Sequence, residues 1–486
     1  MNRSSSTFKL SDHVDQDKVF LVNLSDFDKR LDTDYYRPKL LDIEKRVRAK
    51  ATKKLQDFAN TMASGATPSV SELSYYADEE TGIPFLRVQN LTVNGTLNLK
   101  KIKFISYDVH ENQIKRSQVS DSDLLVKITG VGRMAIASIP PINFIGNTNQ
   151  HMVVLRTGSR EKSKYLANYL NLDVIEKLAS RRATGGTRPA LDYSALRSIP
   201  VIENINFEGL EKAKTLSSEK KQQAQTLLDG IDEYLLTELG IKIPDVDNSL
   251  LNRIFTVQAS ELLEPRLDPE YLAKKYRIME DAIKNSLFTI KKLSNVTYLI
   301  NSGKTPAKTE YVNDISKHDK IYDIIKVGSY SQDLINSKNL DQTIVSPKFE
   351  VRKGDIFILS AAHQSEYVGK HIKFLNENLD NVGCVGELIC VRANNSIVLN
   401  SYLFSILKTD IFKTLINRRK TGQTSHIYPR DIRKIEVPIP NMSKQQEIVE
   451  HIDHIRSTAT QLQQDADEIL ASAKHQIENM ILGEDT

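Results

Sequence analysis

The side chains with chemistry to offer gather in two short stretches. Between Lys413 and Lys434 stand Lys413, Arg418, Arg419, Lys420, Arg430, Arg433 and Lys434 against a single acid, Asp431, with Thr421, Gln423, Thr424, Ser425 and His426 set among them. Earlier in the chain, Lys177, Arg181, Arg182, Arg188 and Arg197 surround Thr184-Gly185-Gly186-Thr187. Glycine beside Arg and Lys lets a backbone come close to phosphates, while Arg, Gln and Thr side chains can reach base edges in the major groove. A solvated charged face would account for the cations alone, but not for their recurrence beside Gly and beside amide or hydroxyl groups. The chemistry expected is nucleic-acid contact, through Arg181, Arg182, Thr184, Thr187 and Arg188 in one stretch and Arg418, Arg419, Lys420, Thr421, Gln423 and Thr424 in the other.

Catalytic patterns fail one after another. Gly130-Val131-Gly132-Arg133-Met134-Ala135 follows the strand-like Leu124 to Ile128 in the form G-x-G-x-x-A, but it runs on into Pro140-Pro141 instead of a helix. No acid stands about twenty residues on, where a dinucleotide ribose would need one. A G-x-x-x-x-G-K-[ST] phosphate loop is missing, so ATP is not hydrolysed by that route. Ile139-Pro140-Pro141-Ile142 lacks the amide and the aromatic that would hold a flipped adenine. Beyond Asp355 and Glu366 comes Tyr367-Val368-Gly369, where a metal-dependent nuclease would want a lysine. His151 and His363 read as polar loop groups. Cys384 and Cys390, in apolar stretches flanking Gly386 with no nearby His, cannot close a zinc shell. No catalytic residue, cofactor or metal is expected.

Composition sets the frame for these stretches. A chain of 486 residues allows two to four domains. Its 66 Lys plus Arg against 62 Asp plus Glu leave a net +4, so a surface that binds nucleic acid must come from clustering of charge, not from its excess. With 26% charged and 40% hydrophobic residues the chain is of ordinary globular type. The segment MNRSSSTFKLSDHVDQDK lacks an apolar core and no run of eighteen apolar residues occurs, so the expectation is a soluble, cytoplasmic protein with no membrane contact.

The two basic stretches belong to a duplication. Arg30-Leu31-Asp32 with Tyr35 returns as Arg266-Leu267-Asp268 with Tyr271, and Ser64-Gly65-Ala66-Thr67-Pro68 returns as Ser302-Gly303-Lys304-Thr305-Pro306. Phe85-Leu86-Arg87-Val88 matches Ile324-Ile325-Lys326-Val327. Thr184-Gly185-Gly186-Thr187 matches Thr421-Gly422-Gln423-Thr424, and Ile199-Pro200 matches Val437-Pro438. All five offsets fall between 236 and 239, so one module occurs twice. In each copy a helix (Tyr35 to Lys53; Pro269 to Ser286) precedes short β-branched runs divided by turn residues, and a second helix (Lys162 to Ala179; Ser401 to Ile416) precedes the basic loop. This predicts an α+β fold with strongly curved sheets and pseudo-two-fold symmetry.

A long helix should follow each copy. In the second, Ile448, Ile452, Ile455, Ala459, Leu462, Ala466, Ile469 and Ala473 step by fours and threes as a coiled-coil seam. In the first, Ala224, Leu228, Ile231 and Leu235 keep the step, but Ser217 and Lys220 interrupt it upstream. Two such seams in equivalent places are natural partners for each other. The 33 residues from Phe207 to Leu239 would span about 50 Å at about 1.5 Å each.

The alternation resembles the DNA specificity subunits of type I restriction-modification systems. Ile435-Glu436-Val437-Pro438-Ile439-Pro440 followed by Ser443-Lys444-Gln445-Gln446-Glu447-Ile448-Val449 is similar to the family's passage from a recognition domain into its spacer helix, and the Ser-Gly-x-Thr-Pro turns look like its recognition-domain entry. The first copy keeps Ile199-Pro200-Val201-Ile202 but lacks the Gln-Gln-Glu-Ile-Val form. The resemblance implies target-recognition domains at 1–203 and 243–440 and antiparallel spacer helices at 204–242 and 441–486. It also implies double-stranded DNA, methyltransferase subunits and ATP-dependent restriction subunits as partners. Positions that differ between the copies should then read sequence: Gln89, Asn90 and Arg133 in the first, and Ser329, Tyr330 and Gln364 in the second. The rival readings are a scaffold that binds no DNA and a nuclease with an unrecognised site.

Overall fold

The computed structural model describes residues 10–11, 13–15, 18–24, 27, 30–244, 254–257, 268–312, 320–331, 333–422 and 425–484. Arg266, Leu267, Gln423 and Thr424 lie outside the described residues, as do positions 1–9; of Tyr330 only the backbone is described. The chain divides into two compact units, one of residues 1–220 with 463–486 and the other of 221–462.

In the first unit, helix α1 (Pro38–Lys50) starts on Pro38, whose missing N–H would have had no helical partner there. Leu124–Lys127, Met152–Arg156, Thr61–Ser64 and Ala137–Ser138 form an antiparallel sheet with Met152–Arg156 and Leu124–Lys127 at its centre. Every residue of Leu124–Lys127 is buried, as the apolar run requires; even Lys127 is, and burial depresses its ammonium pKa. A second sheet places Ile83–Leu86 parallel to Gly146–Thr148. Helices α2 (Arg160–Leu170), α3 (Asp173–Arg182) and the short α4 (Tyr193–Arg197) cover the first sheet, and Leu124, Val126, Val153, Leu155, Leu166, Leu170 and Leu178 meet in one core.

The long helix α5 (Glu208–Glu238) leads into the second unit, which repeats the plan. Helix α6 (Lys274–Lys284) matches α1. Ile356–Leu359 and Leu388–Ala393 stand in the place of the two central strands, beside Thr297–Ser302. The register recurs: Val153 faces Ser64 in one unit, and Ile389 faces Ser302 in the other. Tyr322–Ile325 runs parallel to Val382–Cys384, as Ile83–Leu86 does to Gly146–Thr148. Helices α7 (Asn400–Leu407), α8 (Asp410–Arg418), α9 (Pro429–Ile432) and the long α10 (Met442–Leu482) follow in the same order. A buried acid at the start of each central strand takes an arginine from its neighbour, Arg156 to Asp123 at 2.9 Å and Arg392 to Asp355 at 2.7 Å.

Three expectations need correction. The helices expected at Lys162 to Ala179 and Ser401 to Ile416 are each two helices, because a carboxylate of a long helix caps the second of them. Glu478 accepts from the Asp173 and Val174 N–H groups, and Asp232 accepts from the Asp410 N–H at 2.7 Å. Such N–H groups are unpaired at a helix start and attract an anion. Burial raises the pKa of both carboxyls.

Ser217 and Lys220, secondly, do not interrupt the helix pairing. Ser217 is buried, and the Lys220 ammonium meets Asp465 at 3.0 Å. Beyond Ala466 the buried line of α10 moves to Leu470, Ile477 and Ile481, because there the helix packs on the globular core of the first unit as well as on α5. Lastly, both long helices pass from one unit to the other at Lys220 and Leu462, so neither is a segment separate from the globular parts. Within the second unit α5 and α10 run antiparallel, with Lys444 2.6 Å from Glu238 and the Tyr234 and His451 rings 4.1 Å apart.

Gln445, in the Gln-Gln-Glu-Ile-Val passage, is fully buried. Its side chain accepts from the Leu399 N–H and donates to the Ile397 and Pro440 carbonyls, fastening the start of α10 to the start of α7. In the first unit Phe207, just before α5, packs edge-on against Tyr165 of α2 at 5.1 Å.

Candidate nucleic-acid interface

The arginine pairs that end α3 and α8 point inward. Arg181 and Arg182 are buried and both pair with Glu44 of α1. Arg181 also donates to the Tyr35 carbonyl at 2.6 Å with its guanidinium 3.9 Å from the Tyr35 ring, and Arg182 donates to the Leu178 carbonyl and Ser198 hydroxyl. Burial pushes the Glu44 carboxyl up, but the charges of Arg182, Arg181 and Arg48 outweigh it, and its pKa falls below the usual carboxylate value. Arg418 repeats the arrangement: it donates to the Tyr271 carbonyl at 2.7 Å and to Glu280 at 2.8 Å, with its guanidinium 4.4 Å from the Tyr271 ring. Arg419 lies 4.0 Å from Glu280. Arg181 and Arg182 thus hold α1 against α3 as buried ion pairs and are not exposed to DNA, while the half-buried Arg418 ties α6 to α8 in the same way. A buried ion pair released to water would leave its partner uncompensated.

Downstream of each pair the chain does turn outward. Thr184, Gly185, Gly186, Thr187 and Arg188 are all exposed, in a loop closed by the backbone pair of Thr184 with Ala190. Gly185 takes a φ of +99°, a conformation glycine adopts without penalty, and Gly422 in the matching loop has +86°. Thr129 bridges to Ala190, and the Gly130 N–H donates to the Pro189 carbonyl at 3.0 Å, so the glycine-rich turn at 129–135 lies against this loop. That turn leads from one strand to the next, which accounts for its G-x-G form without a cofactor. Arg133 pairs with Asp173 and donates to the Asn171 carbonyl at 2.7 Å.

A turn the sequence did not single out joins these loops. The His151 carbonyl accepts from the Ile128 N–H at 3.0 Å, the Asn149 N–H donates to the Leu86 carbonyl at 3.2 Å, and the Thr67 hydroxyl donates to the Gln150 side chain. Burial lowers the His151 pKa, and the nearby Arg188 charge lowers it further. Residues 149–151 thus touch the Ser-Gly-x-Thr-Pro turn, the end of Ile83–Leu86 and Ile128, which leads into the 129–135 turn and, through its carbonyl, holds the Leu191 N–H beyond the basic loop. Gly65 lets this happen, since a Cβ there would lie 1.8 Å from the Thr148 carbonyl oxygen. Of the two residues beyond Ile83–Leu86, Gln89 is exposed, whereas Asn90 is buried and bonded to Arg87 and Asn98 backbone. Asn90 is therefore a turn residue and not a reader.

The second unit builds the same junction from other side chains. The Glu387 carbonyl accepts from the Ser360 N–H at 2.8 Å, the Val385 N–H donates to the Ile325 carbonyl at 3.1 Å, and Ala361 bridges to His426, which bridges to Thr421. Thr305 donates to the Glu387 carboxylate at 2.7 Å and accepts from the Gly386 N–H at 2.8 Å. A Cβ at Gly303 would meet the Cys384 carbonyl oxygen at 1.9 Å. Gln364 is exposed in the adjoining loop, Lys420 and Thr421 are half-buried, and Ser329 is buried, its hydroxyl accepting from the Lys326 N–H at 3.0 Å. Ser329 too belongs to a turn. Cys384 and Cys390 are buried free thiols, and burial pushes the Cys384 thiol up to about 12. Among the described residues no group of His, Cys, Asp and Glu could hold a metal ion, and no helix is long and apolar enough to cross a membrane.

A family model described as Type I restriction modification DNA specificity domain matches residues 285–471. A comparison with curated proteins returned no match. Among solved structures, the chain is similar to one described as the structural basis of complex assembly and conformational transition of the type I R-M system, at 14% identity over 89% of this chain and 96% of that chain, with a TM-score of 0.44. It is also similar to a type I restriction-modification system S subunit from M. genitalium, at 14% identity over 89% and 95%, TM-score 0.39, and to the HsdS subunit from Thermoanaerobacter tengcongensis, at 14% over 89% and 95%, TM-score 0.32.

Proposed function

Because residues 285–471 match a model of the type I restriction-modification DNA specificity domain and the first unit repeats the elements of the second, we propose that the chain is a non-catalytic specificity subunit whose units each read one half of a bipartite, asymmetric DNA duplex. One observation carries this reading: in both units a basic, glycine-containing loop, a Ser-Gly-x-Thr-Pro turn and the turn into a central strand meet, and they differ in their side chains. Exposed backbone beside Arg188 or Lys420 suits phosphate contact, and the varied side chains suit base edges.

In this reading the two target-recognition domains stand in tandem, related by a pseudo-two-fold, and α5 and α10 are their antiparallel coiled-coil spacer. The 31 residues of α5 span about 46 Å at about 1.5 Å per residue, a length that suits half-sites roughly one to one and a half duplex turns apart. Methyltransferase subunits dock on the spacer helices, and the restriction subunit joins through them. Methyl transfer and ATP-driven cleavage belong to those partners.

Co-expression of the chain with a methyltransferase encoded beside it, followed by methylome sequencing, tests the proposal. A new bipartite adenine mark is expected; its absence counts against the reading. Deletion of one or two helical turns from α5 and α10 should shorten the gap between half-sites, and an unchanged gap would overturn the ruler role. Pure chain incubated with DNA and magnesium should leave the DNA intact, which separates a reader from a nuclease. A scaffold that binds no DNA would show no salt-dependent affinity for it.

A further inference from the structure

The turn that enters the central strand meets the Ser-Gly-x-Thr-Pro turn and the ends of the neighbouring strands in each unit, and its side chains are not alike. The first unit has Gln150 and His151 there. Gly386 and Glu387 hold the place in the second. The two turns correspond by their backbone, with His151 opposite Glu387 and Gln150 opposite Gly386: Met152 and Leu388 both begin the central strand, and the His151 and Glu387 carbonyls accept the N–H of the residue that follows the neighbouring strand, Ile128 or Ser360. In both units the threonine of the Ser-Gly-x-Thr-Pro turn fixes the side chain in question, Thr67 that of Gln150 and Thr305 that of Glu387.

We propose that Gln150 and Glu387 determine specificity, each reading a base in the major groove, and that they select opposite hydrogen-bonding edges. This rests on the DNA-reading function proposed above. With its carbonyl oxygen engaged by Thr67, Gln150 keeps its amide N–H donors free for an acceptor edge. Guanine, which offers N7 and O6 and no major-groove donor, is therefore the base that fits the first unit. Glu387 can only accept. Thr305 engages one of its oxygens, and the other is left to take a hydrogen from an exocyclic amino group, for which cytosine N4 is the matching edge. A threonine that fixes one oxygen also removes rotamer freedom that DNA binding would otherwise have to restrict.

The test exchanges the two chemistries without changing side-chain size, in Gln150→Glu and Glu387→Gln. Each variant of the full chain, and the unaltered chain, is used to enrich binding sites from a random duplex library, with thermal unfolding followed in parallel. Gln150→Glu should change the preferred base at one position of one half-site and leave the other half-site as it was. Glu387→Gln should do the converse. Each original base should lose roughly tenfold or more in affinity, the scale of one lost base-edge pair. Variants that melt like the unaltered chain but enrich the same sites, or that weaken binding to all sequences alike, overturn the inference. If the unaltered chain enriches no bipartite site, the DNA-reading function itself fails. Should one variant unfold early, the other still decides the matter, because the two positions lie in different units.

Discussion

Glu44 and Glu280 occupy the same place in the two units and live in different surroundings. Glu44 is 9% exposed and is enclosed by Arg181, Arg182 and Arg48; Glu280 is 35% exposed, holds Arg418 at 2.8 Å and has Arg419 only at 4.0 Å. The same fastening is closed in the first unit and partly open in the second. There Arg418 and Arg419 help line a cleft of 1210 Å³ with Tyr271, Lys274, Arg277 and Glu280. The difference shows that an arginine pair before a loop can be wholly structural, and that the loop beyond it must be judged by itself.

Removal of the two acids gives the largest contrast. Glu44→Ala strands two buried guanidinium groups and should cost about 3–5 kcal/mol, whereas Glu280→Ala, at a half-exposed pair, should cost about 1 kcal/mol. Urea unfolding read by hydrogen exchange in each unit would measure both, and equal losses would erase the distinction. Acid sharpens the same contrast. Since the Glu44 pKa is lowered in the fold, its stabilisation is complete above the unfolded carboxyl value of 4.5 and is lost as pH falls through the folded value. The Glu44→Ala chain should therefore lose less of its first-unit stability on acidification than the unaltered chain does.

Close approach in the two Ser-Gly-x-Thr-Pro turns, by contrast, should make the units behave alike. Gly65→Ala and Gly303→Ala each drive a Cβ into a carbonyl oxygen and should each cost about 2–3 kcal/mol by thermal unfolding. A tolerant turn in either unit would mean that the approach is not shared. Arg188 and Arg181 separate a phosphate contact from a fastener. Arg188→Ala should leave the melting temperature unchanged, weaken DNA binding by several-fold for all sequences and lower the salt slope by about 1. Arg181→Ala should lower the melting temperature first. The smallest effect is electrostatic: removal of the Arg188 charge should raise the His151 pKa in an NMR titration, with burial still holding it below 6.5.

Much of the repeat was legible because it is local. Gly65 and Gly303, the buried runs Leu124–Lys127 and Ile356–Leu359, and the stepped apolar residues of α10 each announce a turn, a strand or a helix from within a few residues of themselves. The site was legible only in part. Thr184, Thr187, Arg188, Gln89 and Gln364 are exposed as expected, but Arg181, Arg182 and Asn90 look the same in sequence and are buried. What separates them is the partner, Glu44 being 137 residues from Arg181. Gln150 and Glu387 were missed because they lie in no motif, and the available signal was their place just before the central strand.

The sequence by itself determined a duplicated α+β module with a long helix after each copy, since periodicity, turn glycines and a near-constant offset are properties of the chain. Which cations face outward was decided only by the tertiary structure. Burial and ion pairing depend on what another segment brings alongside, and no spacing along the chain records that.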